Sequence, residues 1–251
     1  MHRFANPNRF LKIADRVMPW AVGLMLLAFG SGLYLAIFVS PPDYQQGETV
    51  RIMYIHVPAA WMALFTYTTM AIASAAALIW KHPLAVLSAK AAAPIGAGFT
   101  IICLATGSLW GKPMWGTWWV WDARLTSVLI LFFLYLGFIA LQSAFDEPNR
   151  GTKAASILAV VGFVNVPIIK FSVDWWNTLH QPASVIKLDG PTIHSSMILP
   201  LLLMASAFCS YYIWILLIQI RYEVNKQKIQ IKIIRDSQYQ ELNILKKSFK
   251  D

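Results

Sequence analysis

Long apolar runs separated by short polar stretches dominate the chain. Six runs reach the roughly 20 residues that a helix needs to cross the apolar core of a bilayer; they cover residues 17–39, 54–80, 91–109, 125–145, 154–171 and 196–220. Hydrophobic residues make up 57% of the 251 positions and charged residues only 13%, a balance typical of membrane proteins. The pattern predicts an all-α integral membrane protein with six transmembrane helices over residues 1–220, followed by a basic tail over residues 221–251.

The first apolar run is expected to remain in the protein. It is too long for a signal peptide, and no small-residue cleavage site precedes the polar stretch at Ser40. The two cysteines, Cys103 and Cys209, fall inside apolar runs and form no C-x-x-C or C-x-x-C-H pattern. They are expected to be small core residues, and the chain is not itself a c-type cytochrome.

Positive charge is distributed unequally between the two ends of the predicted helices. Cytoplasmic loops retain Lys and Arg during insertion. One end carries most of these residues, at Arg3, Arg9, Lys12, Arg16, Lys81, Lys90, Arg150, Lys153 and along Arg221 to Lys250; the other has Arg51, Lys112, Arg124 and Lys187, with Lys170 near a helix end. Both termini are therefore predicted to be cytoplasmic, with the loops at 40–53, 110–124 and 172–195 facing the opposite side, the periplasm in a bacterium.

The net charge of +9 is concentrated on that cytoplasmic side. It is interpreted as a determinant of topology and lipid contact, because anionic headgroups attract basic residues there. The tail mixes isoleucines with Lys and Gln, a composition compatible with a solvated or membrane-surface extension or with docking onto a cytoplasmic partner. No internal repeat is present.

Five of the eleven tryptophans lie within twelve residues, in what we call the tryptophan segment (residues 110–124). An aromatic belt at headgroup level is one explanation, and the scattered Trp20, Trp80 and Trp214 fit it. Five indoles in one loop, interrupted by glycines and a proline, favour a compact shelf for a flat apolar ligand. The shelf residues are Trp110, Trp115, Trp118, Trp119 and Trp121; Asp122 and Arg124 are candidate polar positioning groups, and Arg124 or Lys112 could pair with a ligand carboxylate.

Two histidines are predicted to share the membrane side of the tryptophan segment. His56 lies at the outer end of the second helix and His180 in the last outward loop. Haem iron takes two axial ligands, for which neutral imidazole is common, so His56 and His180 are candidate iron ligands. A structural hydrogen-bonding role is the alternative for each, and His194 is a further outward candidate. Zinc is less suitable because structural zinc needs four close ligands.

Three stretches of the sequence resemble a known family. Residues 110–126, Trp-Gly-Lys-Pro-Met-Trp-Gly-Thr-Trp-Trp-Val-Trp-Asp-Ala-Arg-Leu-Thr, resemble the tryptophan-rich (WWD) signature of haem-handling membrane proteins. The flanking stretches Tyr-Ile-His-Val-Pro-Ala-Ala and Trp-Trp-Asn-Thr-Leu-His-Gln, with the short chain and six spans, resemble the cytochrome c maturation protein C (CcmC) family. The resemblance runs from about residue 40 to 180, whereas the tail and residues 182–195 match poorly.

The resemblance implies a function and a set of partners. It places the axial ligands at His56 and His180 and the haem platform at residues 110–124. It further implies that haem b is presented at the periplasmic face of a bacterial inner membrane, or the equivalent mitochondrial membrane, to a haem chaperone (CcmE-like) during c-type cytochrome biogenesis. ABC transporter subunits (CcmA-like and CcmB-like) and a small membrane subunit (CcmD-like) would assist release. Such a protein is a relay and not an enzyme.

Three other functions are weighed against the relay. An ion-coupled transporter usually places acidic residues inside the membrane, and the six apolar runs contain none. A cytochrome c haem lyase carries the same tryptophan signature, but the family resemblance implies that lyases are longer chains than this one. A haem-conducting permease subunit of an ABC-type complex stays open.

Overall fold

A computed structural model describes residues 6–182, 184–185, 187 and 190–248 of the chain. Regular structure within these residues is helical and includes no β-strand. In chain order the elements are α1 (Pro7–Tyr34), a π-helical turn (Leu35–Val39), a 3-10 turn (Glu48–Ile52), α2 (Met53–Trp80), α3 (Pro83–Trp115), α4 (Ala123–Ser143), α5 (Pro148–Gly162), α6 (Asn165–Trp175) and α7 (Ser195–Ser248).

Six helical stretches in the described part of the chain are long and apolar enough to cross a membrane. They are Pro7–Val39, Glu48–Trp80, Pro83–Trp115, Ala123–Ser143, Pro148–Trp175 and Ser195–Tyr239. Helices suit this environment because their backbone hydrogen bonds are satisfied within the segment. The predicted all-α membrane fold with six spans is confirmed.

Local sequence signals set several helix ends. Asn6 precedes α1, and its side-chain oxygen accepts a hydrogen bond from the backbone N–H of Asn8 at 2.9 Å. His82 caps α3 in the same way, and a proline follows each of these two caps at the first helical position. Gly116 ends α3 with φ at +75°, a left-handed conformation that favours glycine.

Close helix packing in the core depends on glycines that face tyrosines. Tyr135 of α4 is fully buried and donates a hydrogen bond to the carbonyl of Ala63 in α2 at 2.8 Å. Its ring lies against Gly96 of α3, where a Cβ atom would come within 2.1 Å of the ring carbon Cζ. At Gly162 of α5, an added Cβ atom would likewise overlap the hydroxyl of Tyr67. Small residues let transmembrane helices approach closely, so these contacts fix α2 to α5 as one bundle.

The fifth span consists of two helices, where the sequence pattern predicts one continuous run. The helix breaks at Phe163 and Val164, between α5 and α6. Pro167 has no N–H to bond the carbonyl of Phe163, and this carbonyl accepts from the N–H of Val166 at 3.0 Å instead. The buried amide of Asn165 donates to the backbone carbonyl of Ser127 at 2.9 Å and attaches the break to α4.

The helices also extend beyond the predicted apolar runs. Helix α3 continues to Trp115, so the first part of the tryptophan segment is helical and not a loop. Helix α7 continues past Ile220 to Ser248 without a break. The tail is thus helical along most of its length, while Arg3 and Lys250 lie outside the described residues.

Candidate functional site

The two candidate iron ligands lie side by side at one end of the bundle. His56 is buried in the first turn of α2, and His180 lies in the loop that follows α6. Their ring centres are 6.4 Å apart, with the ring planes tilted by 34°. We call His56 and His180 the histidine pair. The structure therefore brings together two residues separated by about half of the chain.

A hydrogen bond to Thr106 fixes the tautomer of His56. Nδ1 of His56 lies 3.0 Å from Oγ1 of Thr106, on the facing helix α3. The Thr106 hydroxyl donates its hydrogen to the carbonyl of Ile102 at 2.6 Å, so its oxygen accepts from His56. Nδ1 then carries the proton of the neutral ring, and Nε2 retains a lone pair for a ligand.

His180 has the same arrangement, built from its own loop. Its Nδ1 lies 3.0 Å from the carbonyl of Gln181, which only accepts, and Nε2 again keeps its lone pair. Burial lowers the pKa of His180; the Gln181 hydrogen bond opposes this, and the positive charge of Arg124 acts with burial. The lowered pKa keeps the ring neutral near pH 7, the form that binds metals.

The distance between the two ring centres is that expected for two imidazoles on a single metal ion. Two imidazoles on one metal place their ring centres about 6 Å apart, because each metal–nitrogen bond is about 2 Å and each ring centre lies about 1 Å further. The observed 6.4 Å agrees with this value. Within the described residues no three His, Cys, Asp or Glu side chains group to hold a metal. Two nitrogens alone suit a metal that brings its own remaining ligands, as haem iron does.

Two tryptophans of the segment flank the histidine pair. Trp110 lies edge-on to His56, with ring centres 5.6 Å apart, and its Nε1 donates to the side-chain oxygen of Gln46 at 3.0 Å. Trp115 lies 6.5 Å from His180. Both indoles belong to the last turns of α3, so this helix carries the aromatic wall beside the two imidazoles.

The other three tryptophans lie on the loop 116–122 and form a second group. Trp118 is 54% exposed and Trp121 is 75% exposed, while Trp119 packs edge-to-face on Trp121 at 5.5 Å. The indole nitrogen of Trp119 is buried, with no hydrogen-bond partner in the described part of the chain. The exposed indoles of Trp118 and Trp121, together with the unpaired N–H of Trp119, fit a surface to which a ligand binds.

Asp122 and Arg124 occupy the start of α4 and have structural partners. One carboxylate oxygen of Asp122 caps α4 by accepting from the N–H of Leu125 at 2.7 Å, and the other is buried without a partner among the described residues. Arg124 donates to the hydroxyl of Ser172 at 2.9 Å and to the carbonyl of Lys170 at 3.3 Å, both in α6. Arg124 thus ties α4 to the helix that leads into the His180 loop.

Lys112, the alternative partner for a ligand carboxylate, and His194, the further candidate iron ligand, both contact residues close in sequence. Lys112 donates to the carbonyl of Gly116 at 3.0 Å, and its ammonium lies 5.9 Å from the centre of the Trp118 ring. His194 is exposed and bonds Ser196 at the start of α7, at 2.7 Å.

Sequence reasoning missed the residues that support the site. Thr106 and Gly107 precede Trp110 by four and three positions, which places them near one face of a helix. Extending α3 to Trp115 would have revealed this face. Gln46 and Ser172 carried no comparable signal, because their contacts are distant along the chain.

Comparison with known proteins agrees with the resemblance seen in the sequence. A family model described as "Heme exporter protein C" matches residues 1–235. The chain belongs to this family. The family match confirms the resemblance inferred from the tryptophan segment and the two histidine motifs.

Individual relatives match four fifths or more of the chain. Heme exporter protein C of Bradyrhizobium diazoefficiens is 54% identical over 226 residues, 90% of this chain and 86% of the relative. The Haemophilus influenzae protein of the same name is 50% identical over 227 residues, 90% of this chain and 92% of the relative. A ccmC-like mitochondrial protein of Marchantia polymorpha, named for cytochrome c biosynthesis, is 51% identical over 203 residues, 81% of this chain and 86% of the relative.

Proposed function

We propose that the chain binds haem b at the histidine end of the bundle during c-type cytochrome biogenesis, with His56 and His180 as the two axial ligands. The histidine pair carries the proposal, because its spacing and its two available Nε2 atoms fit one iron. The names of the family and of its relatives, which refer to haem export and cytochrome c biosynthesis, support haem as the ligand.

The aromatic and charged residues have complementary roles in this proposal. Trp110 and Trp115 pack beside the imidazoles, and the loop tryptophans Trp118, Trp119 and Trp121 cover the macrocycle, since indoles stack well on flat apolar rings. Arg124 pairs with a propionate, because guanidinium groups bind carboxylates strongly. Asp122 caps the start of α4, two residues before Arg124.

The protein acts as a relay for haem and not as an enzyme. It supplies iron ligation and orientation, while covalent chemistry on the haem belongs to the acceptor. The acceptor is a periplasmic haem chaperone (CcmE-like), and the assembly includes ABC transporter subunits (CcmA-like and CcmB-like) with a small membrane subunit (CcmD-like). The site lies at the periplasmic face of a bacterial inner membrane.

Glycine substitutions of the histidine pair test the proposal. His56→Gly and His180→Gly should each abolish the six-coordinate low-spin absorption spectrum of the purified, haem-loaded protein, because each removes one nitrogen ligand. His194→Gly is the matched control and should leave that spectrum unchanged. An unchanged spectrum in both variants would contradict the assignment of His56 and His180 as axial ligands.

The name of the family supports haem permeation as a second candidate function. Haem would then move through this chain, alone or as the permease subunit of an ABC-type complex. Vesicles reconstituted with the purified chain alone distinguish the two functions. A relay leaves externally added haem outside, whereas accumulation inside the vesicles at a rate above protein-free vesicles would establish permeation.

A further inference from the structure

The two histidines of the pair differ in how the fold holds them. His56 is buried on a transmembrane helix and contacts three positions of the facing helix α3, namely Thr106, Gly107 and Trp110. His180 lies in the loop between α6 and α7, and is only partly buried. A ligand on a packed helix moves less than one on a loop, because loops open at lower free energy.

The hydrogen bonds around His180 are formed by its immediate neighbours. Its Nδ1 bonds the carbonyl of Gln181, and its own carbonyl accepts from the hydroxyl of Thr178 at 3.2 Å. These bonds move together with the loop. The loop therefore keeps the ring correctly protonated even when the ring is displaced from its partner.

The position of His56 is determined by another helix. Thr106 orients the ring through Nδ1, and a Cβ atom at position 107 would lie only 3.0 Å from Cε1 of His56. Gly107 thus makes room for the ring, and Trp110 closes it on the third side. Displacing the His56 ring would break its hydrogen bond to Thr106 and its packing against Gly107 and Trp110.

We propose that His56 is the retained iron ligand and His180 the exchangeable one, with Thr106 as the positioning residue of His56. The inference rests on the haem-binding function proposed above. During transfer the bond between iron and Nε2 of His180 breaks, and a neutral electron-pair donor of the acceptor forms the replacing bond. No electron is transferred, and His180 leaves as a neutral imidazole.

Single glycine variants compared by haem retention test this asymmetry. His180→Gly should keep its haem through purification in a five-coordinate form, and added imidazole should restore the six-coordinate low-spin spectrum. His56→Gly should retain at least about tenfold less haem, in line with the affinity that ligand positioning contributes. Equal retention, or the reverse order, would overturn the inference.

The His180→Gly background then isolates the role of Thr106. Only His56 ligates the iron in this variant, so the iron–imidazole stretching frequency of the ferrous form reports the hydrogen bond at Nδ1. Adding Thr106→Val should lower this frequency and weaken haem binding about tenfold or more. Thr106→Ser should restore both values, because it keeps the hydroxyl.

Thr100→Val is the matched control. Thr100 is buried on the same helix and donates to the carbonyl of Gly96 at 2.7 Å, as Thr106 does to Ile102. An identical frequency in the Thr106 and Thr100 variants would overturn the positioning role. Wild-type protein that lacks the six-coordinate spectrum after haem loading would contradict the proposed function itself, whereas equal losses in both histidine variants contradict only the asymmetry.

Discussion

At the scale of single residues, the site depends on polar side chains whose partners are distant in sequence. Gln46 orients Trp110 across 64 positions, and Arg124 bonds Ser172 across 48. The histidines and tryptophans could be predicted because their residue types and clustering are unusual. Gln46, Thr106 and Ser172 could not, since a lone polar residue near an apolar run has many ordinary structural roles.

Substitutions of Arg124 distinguish a hydrogen-bonded pair with a haem propionate from a general effect of positive charge on haem binding. Arg124→Gln should weaken haem binding about tenfold or more, because a hydrogen bond between charged groups contributes roughly 1.5–3 kcal/mol. Arg124→Lys should retain part of the affinity through its charge but lose the planar geometry of the guanidinium. Titration of the purified variants with haem measures the affinities.

Lys112→Gln is the control for the Arg124 variants. Lys112 is the other basic candidate in the tryptophan segment. This variant should bind haem like the parent protein. A larger loss for Lys112→Gln than for Arg124→Gln would move the propionate contact to Lys112.

At the scale of elements, the apolar pattern predicted the six spans but not where their helices end. Helix α3 continues past Gly111 and Pro113, although these residue types favour a loop. Pro113 cannot donate a backbone hydrogen bond, yet the helix continues for two more residues and ends at Trp115. The site differs from the predicted loop shelf for this reason, since Trp110 and Trp115 are held by a helix.

Gly96 provides a stability test of the helix packing. Gly96→Ala should lower the stability of the folded protein by about 1–3 kcal/mol, because the new Cβ atom overlaps the buried ring of Tyr135. The apparent melting temperature in detergent should fall accordingly.

Gly98→Ala is the matched control on the same helix. A Cβ atom there has no neighbour within 4 Å, and alanine favours the helix by about 1 kcal/mol over glycine. This variant should melt at the same temperature as the parent or slightly above it. Equal melting temperatures for the two alanine variants would contradict the close contact between α3 and α4.

At the scale of the whole molecule, the histidine pair and most of the Lys and Arg residues lie at opposite ends of the bundle. The loop 40–47 and the loop residue His180 meet at the end of α3, as the contacts of Trp110 with Gln46 and His56 and of Trp115 with His180 show. Helix α7 extends about 40 Å beyond Ile220 at about 1.5 Å per residue, on the end that carries most of the Lys and Arg. Alternation of spans could be predicted from sequence, whereas the meeting of the histidines required the fold.

The distribution of charge predicts that the histidine end faces away from the cytoplasm. In cells whose outer membrane has been removed and whose inner membrane is intact, Tyr44→Cys should react with a membrane-impermeant thiol reagent. Tyr44 lies in the loop 40–47 and is 91% exposed. Gln227→Cys, on the exposed part of α7, should react only after the membrane is permeabilised. The parent protein is the background control, since Cys103 is buried and Cys209 is partly buried. The opposite labelling pattern would place the histidine pair in the cytoplasm and exclude a periplasmic acceptor.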